Sequence, residues 1–175
     1  MTVITESDQT AGLYDARLRE LGSWIDQTPL DAAANRVARR LLLDTLACTV
    51  AGLRKVDLQY LCSSDSRPSF LGTNSTLGPT EAAYVVALAA CADEACEGLA
   101  FAHGRPGLHA VAAAIGAALR TDAILDALLD AISASFEFGG RMGGLFRAKP
   151  GIHVDGTWGL VAATVAARRL FNNPD

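Results

Sequence analysis

Two stretches of the chain have almost no polar face: GLHAVAAAIGAALR (residues 107–120) and TWGLVAATVAARRLF (residues 157–171). A helix with one apolar stripe can dock on a core and leave its other side in water; a helix apolar nearly all round must be covered on nearly every side. Thirty-two of the 175 residues are alanine, and such small side chains let helix axes come close. The sequence therefore predicts an all-α, tightly packed, Ala-rich helical bundle. A chain of this length has few other helices with which to cover these two. That need predicts an obligate partner, either a homodimer or a heteromer with a second chain.

The remaining periodicity is helical as well. Leu13, Leu18, Leu21, Trp24 and Ile25 mark a first amphipathic helix. TPLD opens a second, with Thr28 as cap, Pro29 in the first turn and Asp31 where a negative charge favours a helix N-terminus; Gly52 stops it. The polar stretch SSDSRPSFLGTNSTLGPT forms the main loop, and Pro79 and Glu81 open the third helix. The expected helices lie near residues 11–26, 30–51, 80–96, 107–120, 122–138 (closed by Gly139-Gly140) and 157–171. No alternating strand and no internal repeat is visible. Residues 1–10 read as a flexible N-terminus and 11–175 as a single domain.

Composition narrows the class. Half of the residues are hydrophobic and 19% are charged, a globular balance. A net charge of −4 argues against nucleic acid or an anionic membrane as partner. The longest uncharged apolar runs, Ala82–Ala92 and Pro106–Leu119, are shorter than the roughly 18 residues of a spanning helix. MTVITESDQT has neither a basic nor an apolar leader region, so a cytoplasmic protein is expected. Cys48, Cys62, Cys91 and Cys96 show no CxxC pair, and read as free thiols in helical surroundings.

Chemistry must come from a few polar groups. In CADEACEG, Asp93 and Glu97 at i,i+4 place two carboxylates, with Glu94 between them, at the end of the third helix. That placement is unfavourable unless it serves a cation or a proton transfer. FAHGRPGLHA brings His103, Arg105 and His109 within seven residues; GRMGGLFRAKPGIHVDG brings Arg141, Arg147, Lys149, His153 and Asp155. All three histidines of the chain lie beside glycines or at helix starts, where free N–H groups can hold an anion. His109 falls inside an apolar turn, the place for a hydrogen-bonded core histidine. His153 is the best-placed catalytic candidate, with His103 and Glu97 behind it. Arg105, His109, Asp93, Glu94 and Arg141 are candidates for binding a substrate. No metal-ligand spacing is present.

LLLDTLACTVAG, EAAYVVALAACADEACEG, RPGLHAVAAAIGAAL, DALLDAISASFEFGGRMGG and GIHVDGTWGLVAATVAARRL occur in that order over residues 15–171, and the series resembles the MmgE/PrpD family. The last stretch is the most specific. Gly151, His153, Gly156 and Gly159 match the family's Gly-x-His-x-x-Gly-x-x-Gly. The resemblance implies an all-helical domain and general acid–base chemistry on small polycarboxylates, with no metal or organic cofactor, as in 2-methylcitrate dehydratase, aconitate decarboxylase and iminodisuccinate epimerase. It also implies that the chain corresponds to the N-terminal part of the helical domain, without the lid domain.

Departures from the pattern are equally specific. Arg105-Pro106-Gly107 stands where the family has His-Pro-Gly, and Cys91 lies near a family histidine; Glu94 and Glu97 lie near its acidic run. Three functions follow as expectations: one subunit of a split or compact lyase, with His153 moving the proton and Arg105 clamping an anion; a repurposed dehydratase or cyclase of secondary metabolism acting on a larger, less charged substrate; or a non-catalytic partner of a second MmgE/PrpD-type chain.

Overall fold

A computed structural model describes residues 6–27, 31–57 and 77–172. The described residues form six α-helices: α1 Glu6–Gln27, α2 Ala32–Gly52, α3 Pro79–Cys91, α4 Pro106–Thr121, α5 Leu125–Leu145 and α6 Gly159–Asn172. A 3₁₀ turn at Val154–Gly156 precedes α6, and no strand occurs among the described residues. The all-α expectation holds.

Helix α4 is the centre. It packs against α2, α3, α5 and α6, while α2 also lies on α3 and α5. Its alanines explain this position: Ala110, Ala114 and Ala117 are buried with Val111 and Leu108. The main core joins Val111, Ala114 and Ala117 to Ala38 and Leu41 of α2, Leu129 and Ile132 of α5, and Ala166 and Leu170 of α6, while Leu108 packs with Ala90 and Cys96. The apolar α4 is thus covered by its own chain. Helix α6 is covered on one side; Leu160, Val161 and Phe171 are exposed on it. The sequence argument for a partner therefore rests on α6 rather than on α4.

The boundaries differ from expectation where tertiary contacts intervene. Helix α1 starts five residues earlier than expected, at Glu6. The proposed capping by Thr28 and Pro29 lies outside the described residues. Helix α2 starts at Ala32, with Asp31 as its N-cap accepting a bond from the Ala34 N–H at 2.8 Å. Asp122 closes α4 in the left-handed region (φ 52°), which delays the start of α5 to Leu125. Helix α5 does not stop at Gly139-Gly140. A Cβ on Gly139 would lie 2.9 Å from Pro106 Cβ and 3.0 Å from Ala162 Cβ, so this glycine gives the helix a flat side for α4 and α6 instead of ending it. Helix α3 ends at Cys91, not at residue 96, and Asp93 and Glu97 do not share a helical face. Glu94 adopts φ 54°, and the carboxylates of this turn meet different partners, Asp93 with Lys55, Glu94 with Arg105 and Glu97 with the Gly107 N–H.

Gly52 ends α2 as expected and also sets the spacing to α3. A Cβ there would lie 1.9 Å from the Ala89 carbonyl oxygen. Gly52→Ala should destabilise the fold by about 2 kcal/mol or more through overpacking against backbone. Urea unfolding monitored by circular dichroism should show a lower midpoint with the native helical spectrum retained.

Candidate functional site

Three segments meet at one end of α4: the turn after α3, the first turn of α4, and the 3₁₀ turn before α6. Arg105 occupies the N-cap position of α4. Its side chain is 14% exposed and its guanidinium pairs with two carboxylates. Nη1 lies 2.7 Å from Glu94 Oε2 and donates to Cys96 Sγ at 3.4 Å; Nη2 donates to Asp155 Oδ2. Arg105 therefore holds the turn after α3 to the turn before α6, and its pKa is raised chiefly by the Asp155 hydrogen bond.

Asp155 is the point of convergence. Besides Arg105, it has His153 Nδ1 3.6 Å from Oδ2 and His109 Nε2 4.0 Å from Oδ1. The Asp155 backbone N–H also donates to His153 Nδ1 at 3.3 Å. His153 is 72% exposed, whereas Asp155 is 14% exposed. The arrangement is a semi-buried carboxylate with one histidine on its solvent side and another on its core side.

His109 lies one turn into α4, and its ring abuts Gly159; a Cβ there would lie 2.4 Å from the ring. The expected hydrogen-bonded core histidine is not observed: Nε2 is buried without a hydrogen-bond partner, as is Asp155 Oδ1. Burial pushes the His109 pKa below its usual 6.5, against the pull of Asp155. The unfolded chain therefore binds the proton more tightly. The associated stability is present above pH 6.5 and is lost as pH falls from there toward the lower folded value. The melting temperature should drop over that interval, and His109→Gln should flatten the slope.

Glu97 caps the same helix start. Its Oε1 accepts from the Gly107 N–H, one of the free donors at the first turn of α4, and its own N–H donates to Asp44 Oδ2 at 3.1 Å. Glu97 Oε2 is buried and unpartnered. Burial raises the Glu97 pKa, with the Gly107 bond acting in the opposite direction.

The other candidates lie apart. His103 Nδ1 accepts from the Ala148 N–H at 3.4 Å, and its ring stands 6.0 Å from that of Trp158, so it tethers the loop after α5. Asp93 pairs with Lys55. Arg141 pairs with Glu137 one turn back on α5, and both are exposed. The structure thus gathers Arg105, Glu94, Glu97, His109 and His153, and adds three residues that the sequence reading did not place in the site. These are Asp155, Asp44 and Cys96. Asp155 had a signal, its position two residues after His153; Asp44 and Cys96 had none.

The domain is a helical bundle with a semi-buried Arg–Asp–His cluster at the N-terminus of its central helix. The chain belongs to the MmgE/PrpD family: the family model described as the MmgE/PrpD N-terminal domain matches residues 19–174. Comparison with curated proteins and with solved structures gave no match. No helix among the described residues is long and apolar enough to cross a membrane, and no group of three His, Cys, Asp or Glu among them could hold a metal ion.

Proposed function

We propose that the cluster is a lyase-type proton-transfer site, working without a cofactor to dehydrate or isomerise a small molecule beside a carbonyl. The observation that carries this reading is the contact of one semi-buried carboxylate, Asp155, with Arg105, His109 and His153 together. His153 is the exposed member and the one that a substrate reaches. With its Nδ1 proton turned from the Asp155 backbone to Asp155 Oδ2, 3.6 Å away, His153 takes the α-proton on Nε2, and the imidazolium so formed gives that proton to the departing hydroxyl, which leaves as water. Arg105 fixes Asp155 and is itself a positioning residue.

Arg105 has a specific consequence for the substrate. Its charge already faces Glu94 and Asp155, so it is not the open anion clamp that a polycarboxylate requires. This favours the repurposed, less charged substrate over a citrate-like one. The test is to incubate the purified chain in deuterated water with hydroxy-acid, hydroxy-ketone and hydroxy-ester substrates and to follow α-carbon exchange and water loss by NMR. Turnover of the neutral members is expected, and Asp155→Asn should lower kcat more than it raises KM. Turnover confined to tricarboxylates would overturn the substrate assignment.

We further propose that the exposed side of α6, with Leu160, Val161 and Phe171, is covered by a second copy or by another MmgE/PrpD-type chain. Light scattering at micromolar concentration should give a dimer for the chain alone or a complex with its partner. A clean monomer that binds no such chain contradicts this.

A further inference from the structure

Three thiols surround the cluster. Cys91 ends α3 and is half-buried; Cys96 is buried five residues on; Cys48 of α2 packs into the same apolar cluster, with Ala90 and Leu108. Cys91 packs against the apolar cluster that contains Cys96, and the two thiols act on one another's titration. This proximity comes from the turn that ends α3, in which the Glu94 N–H bonds back to the Cys91 carbonyl at 3.0 Å and Glu94 takes up φ 54°. A non-glycine residue held in the left-handed region persists only where its surroundings impose it. Here Arg105 does so, binding both the Glu94 carboxylate and Cys96 Sγ.

We propose that Cys91 and Cys96 form a reversible disulfide on exposure to peroxide, and that this bond unlatches Arg105 from the turn after α3. Cys91, the more accessible thiol, attacks hydrogen peroxide as its thiolate to give a sulfenic acid and hydroxide. Cys96 then displaces water from that sulfenic acid, so two thiols are oxidised and one peroxide is reduced to water. Closing the S–S bond turns Cys96 Sγ toward Cys91 and removes it as an acceptor for Arg105. The same ring encloses Glu94, the other group with which Arg105 grips this turn. Glu97, the cap of α4, is the next residue after Cys96. Burial raises both thiol pKa values, Cys96 to about 11, against the lowering effect of Arg105 and with Glu94 and Asp155 adding to the rise at Cys91. Oxidation is therefore slow at neutral pH and faster at pH 9. The effect on turnover rests on the proton-transfer reading; formation of the bond does not.

The experiment treats the full chain carrying Cys48→Ser and Cys62→Ser with hydrogen peroxide. The expected product is lighter by about two mass units. Cleavage after Glu94 should leave the two peptides joined until dithiothreitol is added. Hydrogen exchange at the Glu97 and Gly107 amides should accelerate by about tenfold or more on oxidation and recover on reduction. Cys91→Ser should abolish both changes. Persistence of free thiols, or oxidation of Cys91 to a sulfinic acid without joining Cys96, overturns the disulfide. A disulfide that leaves amide protection unchanged overturns the unlatching.

Discussion

Replacing Arg169 with alanine should cost the fold about 3 kcal/mol, because it removes the buried side of a half-buried ion pair and leaves both Asp130 and the Ile25 carbonyl without this donor. Arg169 sits in the last turn of α6 with its side chain 7% exposed. Its Nε donates to Asp130 Oδ2 of α5 at 2.5 Å, and its Nη1 donates to the Ile25 carbonyl of α1 at 2.5 Å. One side chain therefore joins three helices. Asp130 is 36% exposed and can recover some hydration, which keeps the cost below that of a fully buried pair. For a domain of this size the melting temperature should fall by about 6–12 °C. Arg169→Lys should recover little, since an ammonium cannot hold the planar two-partner geometry. A shift under 1 °C for the alanine variant would contradict the assigned role.

The neighbouring Arg168 gives a graded contrast. It makes a two-pronged pair with Asp26 of α1 at 2.7 and 2.6 Å on the exposed surface. The Arg168 hydrogen bond lowers the Asp26 pKa. The stabilising effect is therefore present above pH 3.8, the ordinary value, and fades as pH falls through the lower folded one. Salt should screen it, whereas the Arg169 contribution should persist in salt.

The sequence specified the helices well because their signal is local. Alanine-rich periodicity, Pro79 and Gly52 identified the bundle; the near absence of a polar face on residues 107–120 and 157–171 predicted two enclosed helices, and α4 is enclosed whereas α6 leaves Leu160, Val161 and Phe171 exposed. What failed was set by distant residues. Helix α3 ends early, and the carboxylates that follow it bind Lys55 and Arg105 while the Glu97 N–H binds Asp44, 53 residues away. Gly139 read as a stop because a glycine's local preference is visible and its helix–helix contact is not. Arg169, which no local sequence pattern singles out, is buried.

The candidate site was half legible. The glycine pattern around His153 pointed to its turn, and the resemblance to the MmgE/PrpD family singled it out. Asp155 stood in plain view but acquires meaning only when α4 brings Arg105 and His109 to it. Arg105 read as an anion clamp because sequence shows a cation's sign and not whether its charge is already matched.

The proton-transfer account depends most on His153, and its removal should have the second large effect. With a substrate identified by isotope exchange, His153→Ala should slow α-carbon exchange by about 10²–10⁴-fold, as loss of a general acid or base does. Its side chain is exposed and touches only Asp155 among the site residues, so the helical spectrum and melting temperature should stay near those of the parent. His109→Ala removes a buried ring packed on Gly159 and should lower stability as well as rate, which separates the two histidines. The decisive measurement is therefore the single-turnover exchange rate of His153→Ala against the parent chain in deuterated water. A loss of about 10²-fold or more with unchanged stability is the predicted result, and an exchange rate equal to the parent's would contradict the account.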